Sequence, residues 1–250
     1  MSDRAGGRTD EAPRDELVVA SYNVHRCVGM DRRHSVERIA AVIAEMGADV
    51  VGLQEVDSTP HAAGGRDPLD AIARACGYAA IPGPILRRHD GHTGNGLLTR
   101  LPVRSRRSID LSFPRREPRG ALDVDLEHGG GLVRVFVTHF GLRAAERRAQ
   151  WDRVMELMAP RGEALSVLIG DFNEWFAPAR VLRRVHRTFG RARAVPSWPS
   201  PFPVLALDRM WVQPNAALVE LVAHRSRLAR RASDHLPVRG ILRLPQRSHT

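Results

Sequence analysis

Carboxylates, amides and imidazoles recur in this chain at the ends of apolar runs. The clearest case is Leu165-Ser166-Val167-Leu168-Ile169-Gly170-Asp171-Phe172-Asn173. The run from Leu165 to Ile169 is long enough for one buried strand. Gly170 lets the chain turn or bring its backbone close to a ligand. A charge ending a buried strand is costly unless it is paired or bound. On a continuing extended backbone, Asp171 and Asn173 point to the same side. Alternatively, one of them caps a helix running from Trp175 to Val185. Similar endings recur: Asn23 and His25 after Leu17–Tyr22, Glu55 after Ala48–Gln54, His139 after Leu132–Thr138, Asp208 within Leu205–Val212, and Asp234-His235 before a closing strand to Leu244.

Each of these residues has an ordinary structural use on its own. Strand-end His139 could be purely structural, and Asn23 could simply end a strand. If the strand ends meet at one edge, the set could hydrolyse a phosphate ester. Glu55 would hold a divalent cation, because Mg²⁺ takes one or two carboxylates and completes its shell with water and phosphate. His235 beside an acid could deprotonate water or hold the phosphate, and a carboxylate partner raises its pKa and fixes its tautomer. Asp171 and Asn173 could orient the water and the reacting oxygen.

The elements that must position these groups follow from periodicity. Leu17–His25 reads as a first strand. Val36, Ile39, Ala40 and Ile43 have helical spacing, with Gly47 as a C-terminal cap. Ala48–Val56 reads as a second strand, giving a βαβ-like layering. Residues 57 to 93 read as loops, apart from a short helix near Asp70–Cys76 and an apolar piece near Tyr78–Ile81. Gly94-Asn95-Gly96 reads as a tight turn entering a strand. Val103–Leu111, Arg119–Leu126 and Leu132–His139 read as strands, the last two joined at Gly129-Gly130-Gly131. A helix is expected from Arg143 to Ala159, with Trp151, Val154, Met155 and Met158 on its apolar face. Residues 186 to 205 read as a basic, proline-rich surface loop, with Trp198 and Phe202 as substrate platforms or lids. Ala216–Val222 reads as a strand, and Arg225–Arg231 as a solvated basic face.

The chain has 250 residues and a net charge of +10, and all 38 of its basic residues are arginine. A surplus of this sign favours anionic partners: a phosphate-ester substrate, nucleic acid, or peripheral contact with an acidic membrane. It also suits a merely soluble surface. Cys27 and Cys76 form no metal or disulfide pattern, and no stretch is apolar enough for a membrane span. The expectation is a cytoplasmic monomer with a disordered segment 1–16, one domain over 17–244 and a loose tail over 245–250.

Together these residues resemble the endonuclease/exonuclease/phosphatase superfamily of metal-dependent phosphoesterases. The resemblance runs from about Leu17 to Leu244. It rests on Ser21-Tyr22-Asn23-Val24, Leu53-Gln54-Glu55-Val56, Gly94-Asn95-Gly96-Leu97-Leu98-Thr99-Arg100, Arg119-Gly120-Ala121-Leu122, Thr138-His139-Phe140-Gly141-Leu142, Gly170-Asp171-Phe172-Asn173, Leu207-Asp208-Arg209 and Ser233-Asp234-His235-Leu236-Pro237. Each motif is weak alone, and the ordered set is specific. It is most similar to small bacterial members of unassigned substrate. The resemblance implies an α/β (α+β) sandwich of two packed mixed β-sheets with helices on the outer faces. It implies Mg²⁺ or Mn²⁺ held by Glu55 and Asn23, with Asp234 contributing. It makes His235 the general base or phosphate contact, held by Asp208. It gives Asp171 the water, Asn173 the scissile phosphate, His139 a second phosphate contact or an acid role, and Arg119 and Asn95 the substrate. The implied activity is hydrolysis of a phosphate ester, and a small or lipid-linked phosphodiester is favoured because no DNA-reading element is recognisable, the basic residues are scattered, and the loops 57–93 and 186–205 could wall a compact pocket. A nuclease is the alternative, and an inactive binding module of the same fold a further one.

Overall fold

The structure, a computed structural model, describes residues 16–57, 67–88, 91–175, 180–191 and 193–244. The terminal segments expected to be disordered lie almost wholly outside these residues. Two sheets stack face to face. The first holds six strands in the order β10-β11-β1-β2-β4-β3, and the second five in the order β5-β6-β7-β8-β9. In chain order the first four are β1 (Glu16–Asn23), β2 (Val50–Asp57), β3 (Ala79–Arg88) and β4 (Gly91–Thr99). Sheet two is built from β5 (Val103–Asp110), β6 (Gly120–His128), β7 (Gly131–His139), β8 (Leu165–Asp171) and β9 (Asp208–Gln213). The chain then returns to sheet one with β10 (Leu218–Ala223) and β11 (Val238–Arg243).

Alternation along the strands makes the core. Leu17 and Val19 of β1, Val135 and Val137 of β7, Val167 and Ile169 of β8, and Met210 and Val212 of β9 fill the space between the sheets. Gly52 marks the closest approach: a Cβ there would lie 2.7 Å from Ile169 and 2.9 Å from Val137, so a side chain would wedge the sheets apart. Helices α1 (Val36–Met46), α2 (Pro68–Cys76) and α5 (Ala229–Ala232) cover the outer face of sheet one. α3 (Ala144–Leu157) and α4 (Arg180–Phe189) cover that of sheet two. There Trp151 stacks on Phe172 with ring centroids 4.9 Å apart, and Phe140 and Trp211 meet them edge-on, a favourable aromatic geometry. The apolar face expected on α3 is therefore core.

Sequence and structure differ in four places. The expected loops before residue 94 contain the long hairpin β3–β4. Pro82, Gly83 and Pro84 disguised β3, which is an edge strand, where a missing N–H need not break a ladder. Gly94-Asn95-Gly96 is no turn: it lies within β4, paired with β3 at Pro84, Gly83 and Pro82. The helix expected from Trp175 is described from Arg180, with 176–179 outside the described residues, and Phe172 to Trp175 are not helical, so neither Asp171 nor Asn173 is its immediate cap. The proline-rich segment before β9 is not wholly superficial, because Ser197 and Ser200 are completely buried.

Register brings the polar strand ends together. β1 runs parallel to β2 with Asn23 opposite Gln54. β7 runs parallel to β8 with His139 opposite Asp171, and β9 returns antiparallel with Asp208 opposite Asp171. The expected βαβ unit is β1-α1-β2.

Candidate active site

Asp171 is the hub. Its Oδ1 accepts the backbone N–H of Asn173 at 2.9 Å. Its Oδ2 accepts from the Asn23 side chain at 3.1 Å, and lies 3.5 Å from His139 Nε2 and 3.7 Å from His235 Nε2. Asn23 also donates to Glu55 Oε1 at 3.2 Å, so one amide ties two carboxylates together. Glu55 reaches this position through a bulge: the β2–β4 register shifts between Leu53 and Val56, and Glu55 has φ +56°. Bulges re-aim side chains next to active sites.

His235 completes the constellation. Its Nδ1 is 2.7 Å from Asp208 Oδ2. An ionised carboxylate only accepts, so Nδ1 carries the proton. The Ser197 hydroxyl donates to the same Asp208 oxygen at 2.6 Å. Burial opposes a charge on His235, but Asp208 and Asp171 outweigh it and hold its pKa up at about 10. His139 goes the other way. Complete burial pushes its pKa down to about 3 against the attraction of Asp171, with Arg119 and His235 adding repulsion. The resting site thus pairs an imidazolium with a neutral imidazole.

Asn173 departs from the extended reading. Its φ is +49°, the backbone turns after Asp171, and its amide points back into the protein. It donates to Phe140 O at 3.0 Å and lies 3.2 Å from His139 Nε2. Neutral His139 accepts there, so both amide hydrogens of Asn173 are engaged, and donation to a ligand requires releasing one. Gly170 serves a neighbouring strand, not a ligand: a Cβ on it would meet Thr138 O at 1.9 Å.

These groups line a cavity of about 420 Å³ that includes Glu55, Asn95, Arg119, His139, Asp171, Asn173, Asp234 and His235. Asn95 donates to Gly120 O at 2.9 Å, and its buried Oδ1 has no hydrogen-bond partner. Arg119 is held by Glu117 at 2.9 Å, and its Nε is likewise unpartnered. Asp234 accepts from Trp198 Nε1 at 3.4 Å and lies 3.7 Å from His25. Of the two aromatic platforms expected from sequence, Trp198 lines the cavity and Phe202 does not. The sequence reading missed Arg26, Leu142 and Trp175, which also line it, and Ser197. Trp175 carries no polar periodicity to betray it. Ser197 sits in a segment that reads as loop.

A hard cation needs oxygen ligands, carboxylates above all. Among the described residues, one group of three metal-ligating side chains closes to within 4.8 Å: Asp171, Asp208 and His235. All three are buried, and Asp208 Oδ2 is already taken by His235 and Ser197. Glu55 instead faces the cavity and takes one hydrogen bond from Asn23. A carboxylate open to water beside an amide fits Mg²⁺, which keeps several waters.

The two-sheet sandwich thus brings a histidine–aspartate pair, a third carboxylate and a glutamate together at one strand-end cavity. The endonuclease/exonuclease/phosphatase family model matches residues 20–235, and the chain belongs to this family, whose members are hydrolytic. It is 29% identical over 254 residues to the Escherichia coli K12 protein YbhP, covering 92% of this chain and 97% of that one. A family member of known structure from Beutenbergia cavernae superposes with a TM-score of 0.76 at 23% identity, covering 95% of this chain and 74% of that one. A mannosyl-6-phosphatase from Bacteroides thetaiotaomicron superposes at 0.70 and 19% identity, covering 90% and 98%. At these identities the two structures establish the fold.

Proposed function

We propose that this chain is a divalent-metal-dependent phosphoesterase that hydrolyses a phosphodiester, small or lipid-linked, by in-line attack of water. One observation carries the reading. Each nitrogen of His235 faces a carboxylate, and Asn23 links the second of these, Asp171, to Glu55. Such an arrangement places a cation, a proton acceptor and a metal-compatible carboxylate around one point.

The raised pKa of His235 selects between its two expected roles. A group titrating at about 10 is already protonated at neutral pH, so it suits contact with a phosphate oxygen better than removal of a proton. Asp208 positions it. Asp171 then takes the proton of the attacking water, which it orients together with the neighbouring amides. Asn173 meets the phosphate by exchanging one of its internal hydrogen bonds, and neutral His139 receives or holds that amide. Arg119 and Asn95, which line the cavity, contact the substrate. Glu55 and Asn23, joined by Asp234, would hold Mg²⁺ or Mn²⁺. When bound, the ion neutralises charge on the phosphate oxygens.

The test is turnover of a soluble aryl phosphodiester with chelator and after adding Mg²⁺ or Mn²⁺. Activity should vanish and return, and undiminished turnover in excess chelator would refute metal dependence. The net charge of +10 favours a second reading, a nuclease. Cleavage of plasmid that falls steeply with salt, with the aryl diester left intact, would select it.

A further inference from the structure

Apolar side chains in the cavity lining and on the loop next to it are left unused by the hydrolytic reading. Among the described residues, the two most exposed large apolar side chains are Phe202 at 81% and Val204 at 70%. Both stand on the loop 199–204, which follows directly on Trp198, a residue of the cavity lining. Leu142 and Trp175, themselves part of the lining, are 56% and 51% exposed. Exposed apolar side chains in and next to one cavity lining mark an interaction surface.

The loop is held in place. Trp198 and Leu205 close its base with two backbone hydrogen bonds of 3.1 and 2.9 Å. Ser200 donates its N–H to Asp234 O at 2.7 Å and its hydroxyl to Ser233 O at 2.6 Å. Arg230 donates to Pro201 O at 2.6 Å. Pro199, Pro201 and Pro203 fix φ along the tip. A tip braced in this way loses little freedom on insertion into another phase.

Arg225, Arg227 and Arg231 are exposed on the segment that braces the loop, and Arg26 lines the cavity beside the carboxylates Glu55, Asp171 and Asp234 of the proposed metal and catalytic set. Two nearby acids are neutralised within the protein: Glu117 by Arg119 and Asp31 by Arg38. Apolar tips flanked by arginine fit an anionic lipid surface, which attracts the cations and accepts the side chains below its headgroups. We propose that the cavity mouth docks on an anionic bilayer, with Phe202 and Val204 inserted. This deepens the phosphodiesterase reading and rests on it for what is hydrolysed: a diester presented at that surface.

The full chain is sedimented with vesicles of equimolar phosphatidylglycerol and phosphatidylcholine, with phosphatidylcholine vesicles, and, separately, titrated with duplex DNA. The parent should bind the mixed vesicles and leave phosphatidylcholine. Phe202→Ser combined with Val204→Ser should lower vesicle affinity about tenfold or more, and Arg225→Glu with Arg227→Glu should do likewise. Both variants should keep the parent's melting temperature and its rate on a soluble aryl phosphodiester. The docking proposal is overturned if the loop variant binds mixed vesicles as the parent does, if the parent ignores them, or if duplex DNA binds in preference. A chain inert towards every diester that still binds vesicles through the loop would refute the hydrolytic reading alone.

Discussion

Asn23 and Asp171 stand 148 residues apart in the chain and share a hydrogen bond of 3.1 Å that crosses from one sheet to the other. The same amide holds Glu55. Asn23→Asp would remove both donors and set a third carboxylate between two others. We expect a loss of about 1–3 kcal/mol in stability at neutral pH, partly recovered on adding Mg²⁺. Urea unfolding with and without the ion checks this, and a midpoint equal to the parent's would contradict it.

Glu55 occupies the left-handed region that favours glycine. Glu55→Gly should therefore be more stable than Glu55→Ala, by about 1 kcal/mol or more, although glycine ordinarily weakens a strand. Both should lose metal-dependent turnover. Thermal melts of the pair decide the point: alanine matching or exceeding glycine would show that the bulge relaxes.

Asp208→Asn keeps the shape of the side chain and removes the charge that orients His235. An analogous change in another histidine-containing triad costs about 10⁴-fold in rate, and a loss of that order is expected here. The pKa of His235 should fall from about 10 towards its ordinary value, readable by NMR titration of the ring. A retained high pKa would mean that Asp171 alone sustains it.

The two histidines give opposite pH signatures. His235 has a folded pKa raised to about 10 from 6.5, so its contribution to stability is complete below pH 6.5 and is lost as pH rises towards 10. His139 is held neutral, with a folded pKa near 3. The unfolded chain binds its proton first, and stability falls from pH 6.5 towards 3. His139→Gln should flatten the acid limb of a stability–pH curve and leave the alkaline limb. Equal steepness in parent and variant would refute the assignment.

The site was legible because its residues end apolar runs, and an apolar run followed by a charge is visible in one dimension. Asn23, Glu55, His139, Asp171, Asp208, Asp234 and His235 were all found this way. The resemblance of the ordered motifs to one family supplied the roles proposed for them and the two-sheet architecture, which the structure shows. What escaped depended on tertiary pairing. β3 was hidden because proline and glycine read as loop until the strand is known to lie at an edge. The inward turn of Asn173 was hidden because a positive φ leaves no trace in residue spacing. Ser197 was missed because burial of a serine within a proline-rich segment is decided by Asp208 and Leu236, to which it is bonded.

The order of the strands along the chain has a further consequence. Sheet two is one uninterrupted stretch, Val103 to Gln213, inserted between the two parts of sheet one. His139, Asp171, Asn173 and Asp208 belong to the insert. Asn23, Glu55, Asp234 and His235 belong to its host. The bonds that define the site, Asn23 to Asp171 and His235 to Asp208, both cross that seam. On the proposed assignment neither part holds a complete centre by itself, so turnover should report the docking of insert on host, and a partial unfolding that parts the two should abolish it while each sheet keeps its own hydrogen bonds.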